Sequence, residues 1–380
     1  MVAACPFPVA RGTPIRIYQM AAALTRRGHD VHVVTYHLGD PAPDAPFQVH
    51  RIRNIRGYRK TSAGPSFSKL TVLDPLLTLK LNRLLRQRSF DVIHAHHYEG
   101  LLAAAAARPR GGPPIVFDVH TLLQSELPYY GPRLPARVKQ VLGGALDRWA
   151  PRRADHIIAV TDEIRARLLA TGAARTDRIS VIPNGVESGA FDGVVPRSRR
   201  TNGSARTVIF TGNLAPYQGI DLMLEAFRSV RTRRHDVRLL IASEDSFIKY
   251  EQRAVDLGIR PYIDFHRVSF DEIPDLLGRA DVALNPRVGC DGLPQKLLNY
   301  MAAGRPVVSF AGSARHLVDG EHGVVVEDHD TEGFAQAIDR LLRDDELAAR
   351  MGAAGKELVR KSLSWDATAT EVEGVYHRLP

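Results

Sequence analysis

The sequence predicts an α/β protein built from two Rossmann-like domains, and three observations carry that prediction. Short apolar runs of strand length alternate with stretches of helix length, twice along the chain. The short runs are apolar throughout, as strands of a parallel sheet covered on both faces must be. A polar, weakly patterned stretch from Val195 to Arg206 separates the halves, and 380 residues, 44% of them hydrophobic, exceed what one core usually holds.

In the first half, Val2–Cys5, Val31–Thr35, Val92–Ala95, Ile115–Asp118, His156–Ala159 and Ser180–Ile182 read as strands. Pro14–Arg27, Val72–Leu85, Leu101–Ala107, Val138–Ala150 and Thr161–Thr171 read as helices between them. After Pro183-Asn184-Gly185 the alternation restarts. Strands are expected at Thr207–Phe210, Val237–Ala242, Ile263–His266, Val282–Asn285, Pro306–Phe310 and Val324–Val326. Helices are expected at Ile220–Thr232, Ile248–Leu257, Ile273–Leu277, Leu297–Ala302 and Thr331–Leu342. A last helical pattern, Trp365–Tyr376, is expected to pack back on the first domain. In such sheets ligands bind beyond the carboxyl ends of the strands. With two sheets facing a cleft, residues 6–13, 118–121, 212–219 and 285–296 become the ones to read for chemistry.

Absent signatures narrow the field. No G-x-G-x-x-G follows a strand, so a dinucleotide-dependent dehydrogenase is disfavoured. GAAGKEL at Gly352 has the wrong spacing for a P-loop and is read as following a helix. No Cys/His cluster has zinc spacing, Asp328-His329-Asp330 reads as a polar turn, and there is no G-x-S-x-G. Two cysteines far apart, Cys5 and Cys290, fit a reduced compartment. No run of ~18 apolar residues and no basic n-region are seen. The expected location is cytoplasmic, peripheral at the inner membrane face. The net charge of +9 favours anionic partners. Between Phe47 and Leu73 the cations Arg51, Arg53, Arg56, Arg59, Lys60 and Lys69 stand without an acid, as a solvated basic loop or a functional one.

The stretch DGLPQKLLNYMAAGRPVV, Asp291 to Val308, carries the sharpest chemistry. Pro294 suits the first position of a helix. The free N–H groups of the first turn, at Gln295 and Lys296, then form an anion site with the helix dipole, and Lys296 adds a full charge. A phosphate or diphosphate is the expected guest. Asp291 and Asn299 can bond hydroxyls. The plainer reading is an Asp N-cap and two exposed polar residues.

Several linked segments, in order, resemble glycosyltransferase family 4, the retaining, metal-independent enzymes of GT-B fold that use a nucleotide-sugar donor. They are LTRRGHDVHVVT, DVIHAHHYEG, VIPNGVE, VIFTGNLAPYQGIDLMLEAF and DGLPQKLLNYMAAGRPVV. The resemblance implies an acceptor-binding domain of residues 1–185 with the C-terminal helix 365–380, and a donor-binding domain of residues 186–364. It places Asp291 on sugar hydroxyls and Asn299 on the donor ribose. It puts His120 beside the reacting sugar and Gly12, flanked by Arg11 and Thr13, near donor phosphate and acceptor. Asn184 matches the interdomain signature. Gly212, Asn213, Gln218, Lys296 and Leu297 complete the implied donor site, and Arg11, His97, Glu126 and Tyr130 the acceptor site; Tyr129 lies in the same loop. No metal or other cofactor is implied.

The sequence departs from the family's pattern at the phosphates. The arginine and lysine of its G-R-L-x-x-x-K-G segment are Asn213 and Gln218 here, and the two glutamates of the later motif are Asp291 and Asn299. Lys296 with the helix start, aided by Arg287, is the expected compensation. The expected activity is sugar transfer to an acceptor hydroxyl in glycan, polysaccharide or glycolipid synthesis, with a lipid-linked acceptor and an anionic membrane surface as partners and no nucleic acid. Two alternatives stay open: an epimerase of the same architecture, and a non-catalytic nucleotide-sugar-binding protein.

Overall fold

The computed structural model describes residues 1–9, 12–39, 44–59, 68–129, 134–191, 193–194, 205–268, 272–289 and 294–379. The chain divides into two compact units, Met1–Asn184 with Trp365–Pro380, and Gly185–Ser364. Each is a parallel sheet with helices on its faces.

The first unit runs β1 (Val2–Ala3), α1 (Gly12–Arg26), β2 (His32–Thr35), β3 (Gln48–Arg51), α2 (Asp74–Gln87), β4 (Ile93–His96), α3 (His97–Ala107), β5 (Ile115–Val119), α4 (Leu123–Glu126), α5 (Ala136–Trp149), β6 (His156–Ala159), α6 (Asp162–Ala170) and β7 (Ile179–Val181). A π-turn, Lys69–Leu73, leads into α2. Among the described residues the sheet has seven strands, ordered β3-β2-β1-β4-β5-β6-β7. Every pairing is parallel, for example Val2 opposite Val34 and Val116 opposite His156.

The second unit runs β8 (Arg206–Thr211), α7 (Ile220–Arg233), β9 (Val237–Ser243), α8 (Ile248–Asp256), β10 (Ile263–Arg267), α9 (Ile273–Arg279), β11 (Val282–Asn285), α10 (Gln295–Ala302), β12 (Val307–Phe310), β13 (Gly323–Val326), α11 (Thr331–Arg343) and α12 (Asp345–Ser362). Its six described strands are ordered β10-β9-β8-β11-β12-β13. The apolar runs feed two cores, one per face. Val208 and Phe210 join one core and Ile209 the other, because successive side chains of a strand alternate. Finally α13 (Trp365–Tyr376) closes the chain on the first unit, where Trp365, Ala369 and Val372 share a core with Ile17 and Met20 of α1.

Three expectations are corrected here. The basic stretch contains an edge strand, β3, which pairs parallel with β2. Arg51 lies in it and donates to the Leu38 carbonyl at 2.9 Å, and Lys69 is buried. Only Arg53, Arg56 and Arg59 stand exposed as the solvated reading requires, and Lys60 lies outside the described residues. The strand escapes pattern reading because Gln48-Val49-His50-Arg51 offers one apolar residue, as suits a charged edge.

The second correction is α12, an 18-residue helix that the small, mixed sequence DELAARMGAAGKELVRKS hides. GAAGKEL lies inside that helix rather than after one. Its glycines allow α12 to press on the segment around α10. A Cβ at Gly352 would stand 2.1 Å from the Gly304 carbonyl oxygen, and one at Gly355 would stand 3.1 Å from Met301 Cγ. The third concerns Pro294, which is the N-cap of α10 rather than its first helical residue. By contrast, Asp328-His329-Asp330 is the polar turn expected: Asp330 caps α11 through the Gly333 N–H at 2.8 Å, and Asp328 accepts from the Gly312 N–H at 2.9 Å.

The close α12 contact sets a test. Gly352→Val should destabilise the second unit by about 1–3 kcal/mol through overpacking. Urea unfolding with amide exchange resolved to Val208–Phe210 measures it, and an unchanged midpoint would contradict the contact.

Candidate functional site: a lysine-centred loop cluster and a buried arginine–aspartate pair

In the second unit, β8 ends at Thr211 and the chain turns at Gly212, whose φ of +122° suits glycine. The following loop folds on itself through Asn213. Its Oδ1 accepts from the Ala215 N–H at 3.2 Å and from Gln218 Nε2 at 3.3 Å, and its Nδ2 donates to Tyr217 Oη at 3.0 Å. Gly219 then passes hard against the loop after β11. Any Cβ there would stand 2.0 Å from the Pro286 carbonyl oxygen, and its φ is +73°. The two strand-end loops are therefore locked together.

Helix α10 brings Lys296 into this cluster. Its Nζ donates to Gln218 Oε1 at 2.7 Å and lies 4.0 Å from the centroid of the Phe210 ring. A Cβ built on Gly212 would be 3.5 Å from the same nitrogen, so the ammonium lies in contact range of the turn. Arg287 lies alongside, its guanidinium carbon 4.9 Å over the Tyr217 ring and its Nε bonded to the Gly289 carbonyl at 2.7 Å. Asn285 and Ser313 support this loop from beneath: Asn285 Nδ2 donates to Ser313 Oγ at 2.7 Å, and that hydroxyl donates to the Arg287 carbonyl.

The structure thus brings together Gly212, Asn213, Gln218 and Lys296 among the predicted residues. Leu297 is placed differently. Its side chain is core and its N–H already donates to the Pro294 carbonyl at 3.0 Å, so it offers nothing to a guest. Asn299 is not an exposed polar residue. It is 4% exposed and its Oδ1 is buried without a hydrogen-bond partner, an acceptor for which a ligand hydroxyl is the natural mate. Asp291 lies outside the described residues, as do Arg11 and Tyr130.

In the first unit a second cluster forms where β4 and β5 end. Arg16, 1% exposed, reaches from α1 to Asp118 at the end of β5, with Nε to Oδ2 at 3.0 Å and Nη2 to Oδ1 at 3.3 Å. Its Nη1 donates to the Pro183 carbonyl and to Asn184 Oδ1, each at 2.9 Å, and its Nη2 to the Ile182 carbonyl at 3.1 Å. Around the pair stand His94, His96 and His120. His96 Nδ1 and His120 Nε2 are 3.3 Å apart, and His94 Nδ1 is 2.6 Å from Tyr376 Oη. His97, at the head of α3 with φ +62°, stacks on His120 with ring centroids 5.0 Å apart. Glu126 accepts from Thr121 Oγ1 at 2.7 Å. Thr13 is half-buried in the first turn of α1, which begins at Gly12. Of the predicted first-unit residues, His97 and His120 meet directly; Glu126 is tied to its own loop.

The family model described as Glycosyltransferase Family 4 matches residues 10–189, and that described as Glycosyl transferases group 1 matches residues 205–344. A phosphatidyl-myo-inositol mannosyltransferase of Mycobacterium leprae is 30% identical over 98% of this chain and 95% of its own. The chain belongs to glycosyltransferase family 4.

Two solved structures share its GT-B fold. Sucrose-phosphate synthase from Thermosynechococcus elongatus has a TM-score of 0.78 at 18% identity, covering 99% of this chain and 96% of its own. Anabaena HepE, solved with UDP and glucose, has a TM-score of 0.75 at 18% identity, covering 100% and 98%. A D-inositol 3-phosphate glycosyltransferase of Xylanimonas cellulosilytica is 26% identical over 97% of this chain and 91% of its own.

The electrostatics of the glycosyltransferase's first unit follow from burial. Burial would push the Asp118 carboxyl up, but the Arg16 guanidinium, with a hydrogen bond from His94, outweighs it and holds the group well below the usual carboxylate range. Burial drives His120 and His96 well below the ordinary histidine value and lowers His94. All three are therefore neutral at pH 7. His94, His96 and Asp118 could present ligand atoms within 4.8 Å of one another. Yet both oxygens of Asp118 already face Arg16, and a divalent cation would have to displace a buried guanidinium from its only short-range carboxylate among the described residues.

Arg16 and Asp118 were not singled out from the sequence. Their signals were a cation, Arg16, in the first half of the MAAAL-containing helix, well away from its basic last turn, and a lone acid in the strand IVFDV. Each is unremarkable until the fold sets one against the other.

A pH dependence follows for the glycosyltransferase. A histidine whose folded value is depressed contributes stability that is present above its unfolded value near 6.5 and is lost as pH falls below it. His96 and His120, held well below that value, should each add a slope approaching about 1.4 kcal/mol per pH unit once pH is below about 6, and His94 adds in the same direction. Both tryptophans, Trp149 and Trp365, lie in the first unit, so their fluorescence follows its urea unfolding alone. The midpoint should fall from pH 7 to pH 5, and His96→Gln should flatten the fall by one histidine's share; equal slopes in the two proteins would reject the assignment. Arg16→Met, which strands the Asp118 charge, should cost about 3–5 kcal/mol by the same measurement.

Proposed function

We propose that this glycosyltransferase moves a sugar, with retention and without a metal, from a nucleotide-sugar donor to a hydroxyl of a sugar, or of a polyol, linked to lipid. The observation that carries the reading is the bond between Lys296 Nζ and Gln218 Oε1. The family's pattern has a lysine at position 218. Here a carboxamide stands there, and the ammonium of Lys296 arrives at its tip from the neighbouring helix. The charge has changed its point of attachment and kept its neighbourhood.

Transfer leaves a nucleoside diphosphate on which negative charge grows, and preorganised cations and N–H groups aimed at that charge lower the barrier. The Lys296 ammonium and the Arg287 guanidinium supply the cations in the second unit. The orphan Oδ1 of Asn299 suits a ribose hydroxyl. In the first unit, neutral His120 serves as a hydrogen-bonding partner for a sugar hydroxyl rather than as a cation, with His97 stacked against it. The departing phosphate takes the acceptor proton. Because Lys296 and Arg287 provide the positive charge, and Arg16 fills the neighbourhood of Asp118, this reading needs no divalent ion.

The lipid-linked acceptor is supported by the relatives, one of which is named for phosphatidyl-myo-inositol. It is also supported by the exposed cations Arg53, Arg56 and Arg59, each attracted to an anionic surface by about 1 kcal/mol. Among the described residues, no helix is long and apolar enough to cross a membrane.

A thermal-shift screen with UDP-, GDP-, dTDP- and ADP-sugars identifies the donor. With that donor, Lys296→Ala should weaken binding about 10–100-fold, the worth of hydrogen bonds to a charged group, whereas Lys249→Ala on exposed α8 should change it by less than about twofold. Lys296→Gln combined with Gln218→Lys should recover most of the loss. Equal, small effects of the two alanine variants would reject the reading, and turnover of donor to an epimer without acceptor would replace it. Activity should persist in excess chelator.

A further inference from the structure

Helix α5 is turned inside out. A helix on a globular protein normally buries its apolar stripe and shows water its polar face. In α5 the apolar residues Val138, Val141, Leu142, Leu146 and Trp149 are all exposed, Val141 at 72%. At 3.6 residues per turn they fall within one arc of about 140°. The opposite face is the buried one, and it holds Gly143 and Asp147. Gly143 packs so closely on α4 that a Cβ would stand 2.6 Å from the Leu123–Gln124 backbone. The Asp147 carboxylate accepts from the Leu123 and Gln124 N–H groups, each at 2.9 Å, and so caps α4. The inward face is thus fixed by close packing and a cap, and the helix cannot roll to hide its stripe.

The flanks of the stripe carry one sign of charge. Arg137 and Arg148 lie on one side and Lys139 on the other, and the Arg153 guanidinium sits 3.3 Å from the Trp149 ring centroid. The single acid of the helix, Asp147, is the buried cap, so its exposed surface has no negative charge.

We propose that α5 lies flat in the headgroup region of an anionic lipid surface, its stripe among the upper acyl carbons and Arg137 and Arg148 on the phosphates. An apolar stripe rimmed by cations is what such a surface takes up. The charge pattern argues against a second copy of this chain, because a two-fold contact of α5 with α5 would set Arg137 and Arg148 against their own copies, and the helix brings no exposed acid to meet them. The inference extends the lipid-surface part of the proposed function and names the element that docks. It needs neither donor nor acceptor, so its failure and the failure of the sugar-transfer reading are told apart.

The test uses the full chain and vesicles of phosphatidylcholine, with and without about one-third phosphatidylglycerol. The protein should pellet with the anionic vesicles only, and Trp149 emission should shift to the blue while Trp365, 2% exposed in the core, stays unchanged. Val141→Ser with Leu142→Ser should lower partition about tenfold or more, and Arg137→Glu with Arg148→Glu should abolish the preference for anionic lipid. Ile248→Ser with Val255→Ser, on exposed positions of α8, should leave partition unchanged, and nucleotide-sugar thermal shifts should be the same in all. Equal pelleting of wild type and the Val141/Leu142 variant, or no pelleting at all, overturns the proposal. So does a wild-type dimer in analytical ultracentrifugation that the same variant converts to monomer.

Discussion

Parallel pairing forces the carboxyl ends of all strands in a sheet onto one edge, and everything chemical in this protein follows from that constraint. Both sheets are parallel in every described pair. In the second sheet the edge gathers Gly212, Pro286, Arg287 and Ser313 from the ends of three neighbouring strands, and α10 starts beside them. In the first sheet it gathers His96, Asp118 and His120 from adjacent β4 and β5. Helices on both faces keep these sheets dry, so the polar groups at the edge pair with one another or wait for a ligand.

The second unit shows how a site tolerates the loss of charged residues. With Asn213 and Gln218 in place of cations, the loop after β8 would carry no positive charge of its own. Lys296 restores an ammonium because Gly219 lets the loops after β8 and β11 close on each other and α10 sets the lysine against Gln218. The carboxamides then serve as acceptors and braces, Gln218 for the ammonium and Asn213 for the loop. Arg287 rests on Tyr217 instead of projecting from the loop itself. Charge is conserved in space while it moves in sequence.

The first unit balances its buried charge differently. Arg16 and Asp118 are both removed from water, and such a pair is tolerable because the guanidinium also meets three oxygens of residues 182–184. The same pair surrounds itself with neutral imidazoles, since a second cation in that volume would be opposed by Arg16 and by burial alike. At the outer side of this unit, α5 spends its polar face inward, on the α4 cap, and its apolar face outward. The two halves therefore handle polarity in opposite ways at their working surfaces, one by relocating a cation and the other by leaving apolar area uncovered.

The alternation of apolar runs determined the two parallel sheets, because residues buried on both faces must be apolar throughout; β6 and β11 have the ends their sequences imply. The linked motifs determined the family, and a helix start near Pro294 was readable from a proline followed by an apolar period, although packing made that proline the N-cap and began the helix at Gln295. Sequence could not show β3, whose edge position asks for polar residues, nor α12, whose glycines answer to a neighbour rather than to a helical pattern. Nor could it pair Arg16 with Asp118, 102 positions apart, or bring Lys296 to Gln218, 78 positions apart. It placed Leu297 on the ligand side when packing had claimed it for the core, and it gave Val138–Ala150 as a helix without showing which face that helix buries. Periodicity reports which residues avoid water on average. Only tertiary packing decides which face meets the protein, which charges meet each other, and which apolar surface is left over.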